Sequence, residues 1–280
     1  MNSLHRWRTA GAGLLAALLA LASPHAHALV FAVNEGVTYR VPSEEVRGRY
    51  AAIASDLSKI LKQPVTVEPV GDYTALRQGL ADKTFDLAMV HPAHVSIQAL
   101  KQSGYRLVAV TKGYQNYTAQ FLVRADSPLK TVADLKGLRL GAPDEDSITA
   151  VMVRATLRDA GVAIGNAPPQ LRMSYTRYQD AVPFFVENRL TDAGATAANS
   201  IVKAWVDKGG KVLGKSRAVP IKHIIAGPSV SAEQLVSVRE YLLALDTSDE
   251  GRAKLAPTKY SGFERYDEAA MLALGLWLGL

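Results

Sequence analysis

The sequence predicts an α/β fold divided into two lobes, and three observations predict it. Apolar runs rich in β-formers alternate with helical patterns along almost the whole chain. The alternation breaks twice, at 105–111 into 119–123 and at 211–215 into 221–226, where one strand follows another with no helix between them. A chain that crosses from one α/β unit to a second and back shows two such breaks. The 280 residues also hold too many strand–helix units for one small sheet.

The amino-terminal segment stands apart from the fold. Arg6 and Arg8 precede an uncharged stretch of mostly Ala, Leu and Gly, followed by Ser23, Pro24 and the tripeptide Ala26-His27-Ala28. Basic start, short apolar stretch and small residues at the end are the plan of a secretory signal peptide, residues 1–28, cleaved after Ala28. The apolar stretch is shorter than the ~20 residues of a membrane span. Gly11, Gly13 and Ala16 match a dinucleotide fingerprint, but that motif has meaning only between a strand and a helix. Removing 28 of 280 residues leaves 252, with 30 basic and 26 acidic side chains, a net charge of +4. The expected product is a periplasmic protein, soluble and without a lipid anchor, since no cysteine is available to carry one.

The elements follow in order. Residues 29–34 (LVFAVN) read as a strand. Val46, Tyr50, Ile53, Leu57 and Leu61 recur at helical spacing after Ser43, and Pro64 closes that helix. Strands are expected at 65–70, 85–90, 105–111 and 119–123, with helices at 73–81 and 93–102. Thr131 to Gly137 (TVADLKG) reads as a helical turn closed by glycine. A strand at 138–142 and a helix at 147–160 follow, then a loop at Pro168-Pro169. Strands at 171–175 and 192–196 alternate with helices at 179–188 and 199–208. After the second break, a periodic helix at 231–245 precedes an apolar tail, read as a helix docked on the core. The alternation argues for mostly parallel sheets.

Several strings then carry a resemblance. Tyr73 to Gly79 (YTALRQG) followed by Phe85 to Met89 (FDLAM) is similar to a stretch of periplasmic substrate-binding proteins of ABC importers. Tyr117 to Pro128 (YTAQFLVRADSP), followed by TVADLKG and a strand, resembles the phosphonate/phosphate/phosphite-binding branch. The resemblance implies a two-lobed periplasmic binding protein type II fold with two hinge strands. Lobe 1 would comprise 29–114 plus 222–280, and lobe 2 would comprise 115–221. It further implies capture of a small phosphonate- or phosphate-like oxyanion between the lobes, delivery to an inner-membrane ABC permease, a monomer, and no enzymatic step or cofactor.

In that family a Ser/Thr-rich run after the DLKG turn grips the phosphonate, and here Asp146, Ser147 and Thr149 hold its place. Ala150 stands where the family has glycine, and Asp144, Glu145 and Asp146 precede the helix. A carboxylate there could cap the helix and use the amides an anion needs, and Asp146 alone is a candidate N-cap. A zwitterionic, cationic or neutral ligand could use the same acids. By position at strand ends and crossovers, Tyr39, Tyr73, His91, Tyr117, Tyr175, Arg177 and Thr196 are further candidate ligand contacts. Asn34, Glu35, Arg40, Tyr114, Tyr178 and Asn199 occupy similar places.

Composition narrows the rivals. Zero cysteine excludes disulfides, thiolate metal sites and a thiol nucleophile. Lys and Arg are dispersed, which argues against nucleic acid. His91 and His94 could share a helical face toward a metal, but no third ligand stands out. No G-x-S-x-G, Walker A or H-E-x-x-H motif occurs. A sensory receptor on the same fold is indistinguishable in sequence from an importer's receptor.

Overall fold

The structure, a computed structural model, describes residues 28–36 and 41–280. The expected signal peptide, apart from Ala28, and the candidates Tyr39 and Arg40 lie outside the described residues. Two separate sheets form the two lobes. The first contains β1 (Leu29–Asn34), β2 (Val65–Pro69), β3 (Leu87–Val90) and β4 (Arg106–Thr111). The chain then crosses to a second sheet, built from β5 (Gln120–Val123), β6 (Arg139–Ala142), β7 (Arg172–Tyr175), β8 (Ala193–Thr196) and β9 (Lys211–Lys215). It returns to the first sheet as β10 (His223–Ala226) and ends there with β11 (Phe263–Glu264).

The strand orders are β11-β4-β10-β3-β1-β2 and β7-β6-β8-β5-β9. Pairing is more mixed than simple alternation predicts. The first strand laid down after each crossing runs against its sheet: β10 is antiparallel to both β3 and β4, and β5 to both β8 and β9. A crossing without a helix delivers the chain from the opposite end, so the inverted strands are the physical counterpart of the two breaks in alternation. The crossovers lie side by side as an antiparallel pair. The Val219 amide donates to the Tyr117 carbonyl at 2.9 Å, and the Ile221 amide to that of Tyr114 at 3.0 Å.

Burial on both faces explains the apolar runs of the first sheet. Along β3, Leu87 and Met89 enter one core cluster while Ala88 and Val90 enter the other. The first of these faces is covered by α1 (Ser43–Leu61), whose Val46, Tyr50, Ile53, Leu57 and Leu61 are all buried. The second face is covered by α2 (Tyr73–Ala81) and α3 (Ala93–Gln102). In the second lobe, α4 (Ile148–Asp159) follows β6, while α5 (Val182–Glu187) and α6 (Asn199–Asp207) flank β8. The turn at Val132–Leu135 is 3₁₀, with Thr131 and Asp134 forming a capping box and Gly137 at φ +75° ending it.

Near the C-terminus, α7 (Ala232–Ala244) is the periodic helix. The short α8 (Asp249–Leu255) and β11 escape periodicity: α8 buries only Gly251 and Leu255 and is set by its Ser248 cap, and β11 is two residues long. The apolar tail is α9 (Glu268–Leu278), packed on α3. Among the described residues no helix is long and apolar enough to cross a membrane.

Candidate functional site

The site forms where the two lobes face each other. Ser147 caps α4: its hydroxyl accepts from the Ala150 amide at 3.1 Å. The amides of Ile148 and Thr149 are therefore the first-turn donors left at the helix start, which carries the positive end of the helix dipole. Both residues line a cavity of about 210 Å³ together with Tyr73, His91, Tyr117 and Arg177. Tyr73 and His91 come from the first lobe, α4 and Arg177 from the second, and Tyr117 from the crossover between them.

The acids ahead of α4 do not close this helix end. The cap is Ser147, one residue later than the Asp146 reading expects, because the chain turns before entering the helix. The Asp144 carboxylate accepts from the Asp146 amide at 2.9 Å, and the Asp144 carbonyl accepts from the Ser147 amide at 2.8 Å. Asp146 points across the cleft to Arg77 of α2, at 3.5 Å. Asp144 does line the cavity, but among the described residues no acid occupies the amides of Ile148 or Thr149.

A hydrogen-bond chain fixes the cavity floor. The Tyr117 hydroxyl lies 3.0 Å from Thr149 Oγ1 and accepts from Gln179 Nε2 at 3.2 Å. Gln179 Oε1 in turn accepts from Thr196 Oγ1 at 2.9 Å and from the Ala197 amide at 2.7 Å. With Gln179 donating to it, Tyr117 keeps its own proton for Thr149 or for a bound acceptor. Burial raises the Tyr117 pKa, and burial together with the Asp144 charge pushes Tyr73 up to about 12. Both phenols therefore remain neutral donors at ordinary pH.

His91 is half-buried, and its Nδ1 is sheltered with no partner among the described residues. Burial, aided by Lys222, lowers its pKa to about 3, so it is a neutral imidazole with one N–H to offer. Gly36, at φ +108°, lets the backbone lie against that ring; an added Cβ would sit 3.4 Å from it and the conformation disfavours any side chain. Arg177 is exposed, stacks over Tyr178 at 5.3 Å from the ring centroid, and makes no ion pair among the described residues. The arrangement offers amide, phenol, hydroxyl and guanidinium donors to one small volume, which is what an oxyanion requires.

The structure thus brings together Tyr73, His91, Tyr117, Ser147, Thr149 and Arg177. It places three other candidates elsewhere. Asp146 is at the rim with Arg77. Tyr175 accepts from Arg154 Nη1 at 3.3 Å, away from the cavity. Thr196 is fully buried one layer behind Gln179. His94 does not join His91 at the cavity: its Nε2 lies 3.3 Å from Arg77 Nη2, and burial lowers its pKa to about 4. No group of three or more potential metal ligands occurs among the described residues. Asn34 serves structure, donating to the Val70 carbonyl and accepting from the Gly36 amide. Glu35 is held by Arg49 at 2.5 Å and Tyr50 at 3.0 Å.

Sequence reasoning missed Gln179 and Lys222. Gln179 opens a 3₁₀ turn before α5 and gave no motif. Lys222 lines a second, larger cavity of about 510 Å³ that shares His91, Tyr117 and Gln179 with the first.

Comparison with known proteins fits this geometry. The family described as "ABC transporter, phosphonate, periplasmic substrate-binding protein" matches residues 36–271. No curated protein matches the chain in sequence at a significant level. Among solved structures, XAC2383 from Xanthomonas citri bound to ATP aligns with TM-score 0.73 and 14% identity, covering 90% of this chain and 97% of that one. PhnD1 from Prochlorococcus marinus in complex with methylphosphonate aligns with TM-score 0.63 and 18% identity, covering 89% and 96%. The aliphatic sulphonate-binding protein SsuA from Escherichia coli aligns with TM-score 0.50 and 16% identity, covering 89% and 78%. These likenesses establish the two-lobed type II fold. The family binds solutes and performs no catalysis, and its members work with a membrane permease. By the match over 36–271, the chain belongs to the phosphonate substrate-binding family of periplasmic ABC-transporter proteins.

Proposed function

We propose that this protein captures an oxyanion of the phosphonate or phosphate class between its lobes, at the start of α4, and presents it to an inner-membrane ABC permease. The observation that carries the reading is the open helix start at Ile148 and Thr149, surrounded by Tyr117, Tyr73, His91 and Arg177, which has no ion pair among the described residues. The family's description and the methylphosphonate held by the Prochlorococcus protein support the same class. The lobes act as units of 29–114 plus 222–280 and of 115–221, hinged at the paired crossovers. A ligand touching Tyr73 and His91 on one side and α4 on the other stabilises the closed arrangement over the open one. The mature protein is a soluble periplasmic monomer released by cleavage after Ala28.

A thermal-stability screen tests the ligand class. A ligand at a hundred times its Kd stabilises the folded state by about 2.7 kcal/mol. Phosphate, methylphosphonate, sulfonates, simple amines and divalent metals form the panel. The reading expects phosphate or methylphosphonate to raise the melting temperature. A shift with an amine or a metal and none with any oxyanion would overturn it.

A further inference from the structure

The small cavity at α4 is only part of the enclosed space. Its 210 Å³ suits a compact oxyanion, whereas ligand pockets for organic molecules run from roughly 300 to 1,000 Å³. Past the shared wall of His91, Tyr117 and Gln179 lies the compartment of about 510 Å³. Inorganic phosphate or methylphosphonate would leave that compartment unfilled.

The second compartment has its own cation. Lys222 Nζ lies 4.2 Å from the ring centroid of Tyr114, 4.6 Å from that of Tyr260, and 3.4 Å from the Tyr260 hydroxyl. It makes no ion pair among the described residues. Two acids, Glu35 and Asp180, line the same compartment; Glu35, whose charge acts on Lys222, is already bonded to Arg49 and Tyr50. Burial lowers the Lys222 pKa to about 8, so the ammonium is charged at neutral pH but poorly solvated, and an incoming anion would relieve it.

The backbone at Lys222 is held on both sides. Its φ is +64°, a conformation that favours glycine, yet the position carries a long cationic side chain. Its amide donates to the His91 carbonyl at 3.2 Å, and its carbonyl accepts from the Thr111 amide at 3.1 Å and from the Thr111 hydroxyl at 2.9 Å. These bonds tie the residue to the end of the strand that leads into the first cavity and to the end of β4, where the first crossover begins. They fix where the side chain starts; a similar positive φ also occurs at Lys62, Lys83, Arg189 and Lys259.

We infer that the ligand is a phosphonate or phosphate ester whose substituent carries a second anionic group, with the head at α4 and the second anion at Lys222. This rests on the oxyanion reading given above and names the substituent that the reading leaves open. An amine-bearing substituent would meet Lys222 with like charge; Asp180 and Glu35 on the same lining are the groups that would favour it, and the amine arm of the test decides between them.

Titration calorimetry on the full mature protein tests this, using phosphate, methylphosphonate, 3-phosphonopropionate and 2-aminoethylphosphonate. The carboxylate-bearing compound is expected to bind at least tenfold more tightly than methylphosphonate and more tightly than the amine. In Lys222→Gln the ratio between carboxylate-bearing and methyl compounds should fall to within twofold, and Lys222→Arg should restore most of it. Equal or tighter binding of methylphosphonate, preference for the amine, binding of phosphate alone, or a ratio unchanged in Lys222→Gln overturns the inference while leaving the oxyanion site standing. Absence of binding by all four removes the oxyanion site and this inference together. The ligand series on the unaltered protein decides the matter even if a Lys222 variant does not fold.

Discussion

Replacing Gln179 by leucine separates the cavity's support from its charge. In the native protein Gln179 Oε1 satisfies the Thr196 hydroxyl and the Ala197 amide, at 2.9 and 2.7 Å, and Nε2 donates to Tyr117. Thr196 is fully buried and Ala197 is buried. Leucine leaves both donors without an acceptor, and an orphaned buried group costs about 1–3 kcal/mol. Two such groups, less some apolar gain from leucine, give a loss of about 3 kcal/mol. Gln179→Glu keeps the acceptor oxygen, so its stability should stay within about 1 kcal/mol of the native protein. It also places a negative charge beside the oxyanion. At ~5 Å and an effective dielectric near 20, like charges repel by about 3 kcal/mol, so affinity for methylphosphonate should fall at least tenfold. Urea denaturation measures the first effect and titration calorimetry the second. If Gln179→Leu lost less than about 0.5 kcal/mol, or Gln179→Glu bound the anion as tightly as the native protein, the argument for the floor of the site would fail.

Arg177→Ala should cost about ten- to a hundredfold in oxyanion affinity, the worth of a charge-assisted hydrogen bond, because the guanidinium lines the cavity and makes no ion pair among the described residues. The exposed position makes its effect on stability less than about 0.5 kcal/mol, and a loss of affinity below twofold by calorimetry would remove it from the site. Acidification should destabilise the fold. His94 and His223 are buried with pKa values lowered to about 4, by burial first in each case. Their folded values lie below the ordinary 6.5, so the unfolded chain binds more protons between pH 6.5 and 4. Stability is therefore intact above that window and falls as pH drops through it. At pH 5 each contributes a loss of about 2 kcal/mol relative to pH 7. Urea midpoints at the two pH values check this, and a combined loss under about 1 kcal/mol would show that the imidazoles are solvated.

Much of the architecture was legible because each lobe follows local rules. The continuous apolar run of β3 and the heptad-like stripe of α1 are written in the sequence, and the two crossovers show as strands without an intervening helix. The inverted direction of β5 and β10 is a property of pairing across distant segments, so no local pattern encodes it. Position at strand ends and crossovers selected Tyr117, His91 and Arg177, and the family resemblance selected Ser147 and Thr149, all at one cavity, but the positional rule also selected Tyr175 and Thr196. It cannot tell a side chain that lines the cleft from one that packs under Arg154 or behind Gln179. The cap of α4 turned on a single residue: the run of acids drew attention to Asp146, whereas the turn made by Asp144 leaves Ser147 to cap. Gln179 and Lys222 carry no motif, since their roles come from what folding places beside them.

A crystal structure of the mature protein with methylphosphonate tests the central claim most directly. The account predicts density between the lobes, with phosphonate oxygens about 3 Å from the Ile148 and Thr149 amides, and with Tyr117 and Arg177 completing the grip. Density outside the cleft, or a phosphonate held with the start of α4 left empty, would contradict it.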